Sequence, residues 1–145
     1  MKAKLILIVL VMTVSCMTAI AQESVLQAKE KQLKPEEKLV VLWTSGDREV
    51  ALKMAFMYTL NSRRFGWWDD ITLVVWGPSA KLLAEDQELQ EYILKIKEAG
   101  VDLKACKACA DMYGVSEKLE ELGITVKYMG ELTDYIKEGR HLLTL

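Results

Sequence analysis

Histidine is nearly missing from this chain of 145 residues; there is one, His141. Zinc takes about four ligands, and two nearby cysteines plus one histidine do not supply them from a single chain, so no metal site is expected. Proline is scarce too, with Pro35 and Pro78 alone. Both precede the paired cysteines, so nothing downstream can serve as the cis-proline that a thioredoxin sets opposite its Cys-x-x-Cys. Basic charge is not in surplus: 19 Lys and Arg stand against 21 Asp and Glu. That balance lacks the basic stripe nucleic acid requires. Long apolar runs are confined to one place near the start, Leu5 to about Met12, which is too short to span a bilayer comfortably. Low-complexity tracts and internal repeats are absent.

That early run is framed as an export signal. Lys2 and Lys4 form a basic start, the apolar stretch follows, and Ala19-Ile20-Ala21 places small residues where a signal peptidase reads. Cleavage after Ala21 predicts a mature chain of 124 residues, 22–145, with 17 basic and 21 acidic residues. The size suits one domain. A lipoprotein signal with Cys16 lipidated is the less favoured alternative, because Thr13 stands where an aliphatic residue is usual. On either reading the domain is exported, the expected compartment is the periplasm, and the mature form has no transmembrane span. With cleavage after Ala21, of the three cysteines at positions 16, 106 and 109 only Cys106 and Cys109 remain. An oxidising compartment allows such a pair to close.

Residues 22–38 are polar and charged and read as a tether. From 39 to 145 the pattern alternates. "KLVVLWTSG" is a buried strand and a turn. In "DREVALKMAFMYTLNSRR", Val50, Met54 and Met57, with Ala51, Ala55 and Tyr58, recur at helical spacing and predict a core-facing side. "DDITLVVWGPSA" repeats strand and turn, and "AKLLAEDQELQEYILKIKEAG" reads as one helix. "VDLKA" is a third strand, followed by a short helix to Gly114 and another with Ser116 as N-cap. "ITVKYMG", "ELTDYIKEG" and "RHLLTL" add strand, helix and a last strand. The result is an α/β three-layer sandwich around a mostly parallel sheet of about five strands. Trp67 and Trp68 read as cover for the core edge or as an interface, Trp43 and Trp76 as core or pocket lining, and His141 as a surface or edge residue. No cofactor is expected.

In parallel sheets, functional groups collect where strands end and helices begin. Three such turns share one edge: Thr44-Ser45-Gly46-Asp47, Trp76-Gly77-Pro78-Ser79 and Ala105-Cys106-Lys107. Ser45, Gly46, Gly77 and Lys107 are therefore candidate supporting residues. Cys106 ends a strand at a helix start, where free amides and the helix dipole favour an anion, and so a thiolate nucleophile. Lys104 and Lys107 flank it; side chains alternate along a strand, so Lys104 could face the other way. Cys109 lies one turn on, close enough to close a disulfide or to resolve an adduct on Cys106. Asp111 reads as a solvated helix residue. A pure staple is disfavoured because so small a loop stabilises little.

The stretches "VVLWTSGD", "VVWGPSAKLLAED" and above all "VDLKACKACADMYGV" resemble the DsrE/DsrF-like family, whose members include the DsrE and TusD sulfur-transfer proteins. The resemblance spans roughly residues 39–145. In that family a strand delivers a cysteine to a helix start, and a glycine ends the helix eight residues later; Cys106 and Gly114 keep that spacing. The resemblance implies a persulfide on Cys106, a trimeric or hexameric homo-oligomer, and a sulfur donor or acceptor as partner, either a protein or a small sulfane-sulfur species. Cys109 departs from the pattern, since TusD-like members carry a small residue there. The export signal also departs from the cytoplasmic relay proteins and argues against transfer toward transfer RNA. Two readings follow: a sulfur-handling thiol protein with Cys109 as resolving thiol, or a non-catalytic binding and assembly module with an inert Cys106–Cys109 disulfide.

Overall fold

The computed structural model describes residues 37–145. The expected signal segment 1–21 and residues 22–36 of the expected tether lie outside the described residues. Five short runs rich in β-branched and aliphatic residues form strands: β1 (Lys38–Trp43), β2 (Asp70–Val75), β3 (Asp102–Cys106), β4 (Thr125–Lys127) and β5 (His141–Thr144). They make one sheet in the order β4-β3-β2-β1-β5. Every pairing is parallel, with Trp43 opposite Val75 and Val75 opposite Ala105. All strands thus end at one edge, and every connection must cross over a face of the sheet.

The first crossover is helix α1, built of three consecutive segments, Arg48–Val50, a π-helical Ala51–Phe56 and Met57–Arg64. Asp47 caps its start, its carboxylate accepting from the Glu49 and Val50 N–H groups. The expected apolar side holds in part: Ala51 and Ala55 are buried and Tyr58 packs on the core, but Met54 and Met57 turn outward. Ala51, Ala55, Phe56, Thr59, Leu60 and Ser62 are buried, whereas Met54 and Met57 are 49% and 46% exposed. A π-turn closes i→i+5 bonds and takes more residues than an α-turn, so the inward face drifts away from a stripe drawn at 3.6-residue spacing. Small Ala51 and Ala55 bring the helix close to the sheet.

The next expected helix is two, α2 (Pro78–Glu85) and α3 (Gln87–Glu98). Asp86 between them is extended, and its carboxylate accepts from the Leu89 N–H at 3.0 Å as the N-cap of α3. Arg48 of α1 binds the same carboxylate at 2.8 Å. After β3 come α4 (Lys107–Tyr113) and α5 (Ser116–Glu121), and α6 (Glu131–Lys137) joins β4 to β5. Val115, not Ser116, holds the cap position of α5, and Ser116 instead donates its hydroxyl to Asp111.

Alternation along the strands sorts side chains onto two faces. On one face Leu39, Val41, Trp43, Leu73, Val75, Leu103 and Ala105 meet buried residues of α1 to α5 in the main core. Trp43 packs edge-on against Phe56 at 4.9 Å, and Phe56 against Tyr92 at 5.4 Å. On the other face lies a smaller cluster of Val40, Val74, Cys106, Met129 and Tyr135. Trp67 is exposed, Trp68 packs against the core and tilts over the exposed ring of His141, and Trp76 borders the smaller cluster. No helix among the described residues is long and apolar enough to cross a membrane.

Candidate functional site

Three strand-end turns meet at the carboxyl edge of the sheet. Those after β1 and β2 touch: a Cβ on Gly46 would lie 3.1 Å from the Pro78 Cβ. Ser79 fastens them, donating its hydroxyl to the Trp43 carbonyl at 2.7 Å and accepting from the Trp76 N–H at 3.0 Å. The Thr44 and Ser45 N–H groups donate to the Leu145 carbonyl oxygen, tying in the end of β5. The Ser45 hydroxyl accepts from the Asp47 N–H at 3.1 Å, so it is engaged within its own turn.

The turn after β3 carries the thiols. Cys106 is the extended cap residue of α4, and Gly114, left-handed at φ 68°, closes that helix. Cys106 points to the smaller cluster and is 5% exposed; Cys109 is half-buried at its border. The two side chains interact, the Cys109 thiol hydrogen-bonding Cys106, and the Gly77 N–H donates to the Cys109 sulfur. Burial, then the Cys106 sulfur, push the Cys109 thiol up, and the Gly77 amide offsets only part of this. Gly77 sits at φ 73° and ψ −135°, a conformation a side chain resists, so glycine there fixes the amide under Cys109.

Gly77 is thus brought to the thiols, and Gly46 supports the turn that holds Gly77. Lys107 is directed elsewhere: its ammonium spans both Asp111 carboxylate oxygens at 2.8 and 2.7 Å. That ion pair holds Lys107 above its usual range and Asp111 below its own. Lys104 shares the face of Cys106, two residues before it, and is buried.

Around Lys104 is a polar group that sequence reasoning missed. Its Nζ lies 2.5 Å from Glu131 Oε1, 2.5 Å from the Tyr135 hydroxyl and 3.2 Å from Asp102 Oδ2. Lys127 takes the other Glu131 oxygen at 2.5 Å, and the Arg140 guanidinium stacks 4.3 Å above the Tyr135 ring. Burial opposes charge on Lys104 and Glu131, yet the hydrogen bonds outweigh it: Lys104 is raised and Glu131 is lowered to about 2. The available signal was spacing: Glu131 and Tyr135 are four apart on one helix face, and Lys104 is two from Cys106 on one strand face. Among the described residues, no group of three or more His, Cys, Asp or Glu side chains is placed to hold a metal ion.

The model of the DsrE/DsrF-like family matches residues 37–145. A conserved protein of unknown function from Bacteroides thetaiotaomicron, BT1422, is 41% identical, with a TM-score of 0.73, covering 75% of this chain and 95% of that one. The ychN protein from E. coli shares the fold at 17% identity, with a TM-score of 0.59 over 76% of this chain and 99% of its own. No curated protein matches the chain.

Proposed function

The chain belongs to the DsrE/DsrF-like family, a membership that points to a sulfur-relay-type function, and from it we propose that Cys106 carries sulfane sulfur as a persulfide while Cys109 resolves it. The observation that carries this reading is the packing of Cys109 against the small cluster that contains Cys106, one helical turn away. Loading is an exchange at sulfur. The Cys106 thiolate attacks the outer sulfur of a donor R–S–SH, forms Cys106–S–SH and releases the donor as a thiolate. An acceptor thiolate can take the outer sulfur and return Cys106. Alternatively Cys109 attacks the inner sulfur of Cys106–S–S⁻. Its proton passes to the departing sulfur, hydrosulfide leaves, and the Cys106–Cys109 disulfide remains until an external dithiol reduces it. A thiol that keeps its proton until that step fits the raised Cys109.

Export through the segment 1–21, delivery to the periplasm and assembly into a trimer or hexamer belong to the same proposal. Intact-mass analysis after incubation of the reduced protein with a polysulfide tests the chemistry. Parent protein should gain sulfur transiently and end as the disulfide, and Cys109→Ser should retain the added sulfur. If Cys106→Ser gains sulfur as well as the parent does, the assignment fails. If neither thiol takes up sulfur and the double serine variant keeps its assembly, the inert binding module is the correct reading.

A further inference from the structure

A thiol that exchanges sulfur must present its sulfur to a donor in line with the bond that breaks. Cys106 does not: it is 5% exposed, with Val40 and Val74 of the sheet and Met129 and Tyr135 packed around it. Beyond the sheet, the buried part of this cover is one short piece of chain, Met129 and the α6 helix that follows, with Trp76 and Cys109 half-buried at its border. Among the described residues α6 packs on this face beside Cys109 of α4; it buries one residue of its own, Tyr135, half-buries Leu132 and leaves Ile136 exposed. An attachment of that size contributes little apolar burial. What fastens α6 is polar: Glu131 between Lys104 and Lys127, and Tyr135 between Lys104 and Arg140. Glycines flank the helix, Gly130 at its start and Gly139 at φ 76° just past its end. The main core on the opposite face contains none of α6, so α6 can lift without opening that core, as a local unit of low stability does.

We infer that α6 with Met129 is a gate over Cys106, closed in this structure, and that the Lys104–Glu131–Tyr135 cluster is its clasp. The inference deepens the persulfide reading, since it names what controls access to that thiol. A small donor such as hydropolysulfide needs a narrow opening, and a donor or acceptor protein needs the helix displaced.

The test measures alkylation, which requires no sulfur transfer, so its outcome is separate from that of the proposed function. In a Cys109→Ser background the rate at Cys106 is compared for small iodoacetamide and a bulky fluorescein maleimide. Their ratio cancels differences in thiol nucleophilicity. Glu131→Gln, which keeps shape and removes charge, should raise the maleimide rate relative to iodoacetamide about tenfold, the response to losing one charge-assisted hydrogen bond. Met129→Ala, which leaves the clasp intact, should shift the ratio in the same direction. Hydrogen exchange should show amides of 131–137 opening ahead of β1, β2 and β3. An unchanged ratio in both variants overturns the gate, as does a maleimide rate that follows global unfolding in urea. If Glu131→Gln does not fold, the Met129→Ala ratio and the exchange order decide.

Discussion

Cys106 and Cys109 differ because position separates two identical side chains. One ends a strand and points inward; the other sits a turn later, half-buried, with burial and its neighbour raising its thiol. That placement was legible in the sequence, because a strand end followed by a helix shows in the apolar pattern. Lys104 was not legible in the same way. Whether it shared the face of Cys106 depended on register, and its burial on a helix nearly thirty residues downstream. Its partner Glu131 carries a pH signature. Its carboxyl falls from an ordinary 4.5 to about 2 in the folded protein. The stabilisation is therefore full above about 4.5 and is lost as pH falls toward about 2. Urea midpoints measured down that range should fall less steeply in Glu131→Gln than in the parent. At neutral pH the same variant should be less stable, because Lys104 loses a buried counter-charge.

Among the elements, the strands and their order of alternation with helices could be read from apolar runs and glycines. The π-helical stretch of α1 could not, since composition does not reveal an i→i+5 turn, and the predicted Met54 and Met57 stripe faces solvent as a result. The break at Asp86 was hidden because the apolar period continues across it, and the decisive features are a side-chain cap and a bond to Arg48. The turn between β2 and α2 supports a sharper prediction. Gly77→Ala places a side chain at φ 73° and ψ −135°, which costs about 1–3 kcal/mol, measurable as a lower urea midpoint. Relaxation of that strain should move the amide off the Cys109 sulfur and change the alkylation rate of Cys109 relative to Cys106.

At the scale of the molecule, the sheet is covered unequally among the described residues, by α1 to α5 on one face and by α6 with Cys109 of α4 on the other. Met54, Met57, Phe65 and Trp67 stay exposed, and three of them line a groove of about 480 Å³ that Leu143 and Leu145 complete. Exposed apolar patches of this kind mark interfaces. Within a family that often forms oligomers, a second copy is the proposed occupant. Met57→Glu should lower the sedimentation coefficient while leaving the circular dichroism spectrum unchanged; an unaltered coefficient would move the interface elsewhere. The groove was not legible in the sequence, because a regular helical stripe assigned Met54 and Met57 to the core.

The central claim, that sulfur is carried on Cys106 and resolved by Cys109, can be tested at single-residue resolution. Trypsin cleaves after Lys104, Lys107 and Lys118, so the two cysteines fall in separate peptides, 105–107 and 108–118. After exposure of the reduced protein to polysulfide, trapping and digestion, the account predicts one added sulfur on 105–107 at early times. At late times it predicts the two peptides joined by a disulfide. Added sulfur on 108–118 while 105–107 stays unmodified would contradict it.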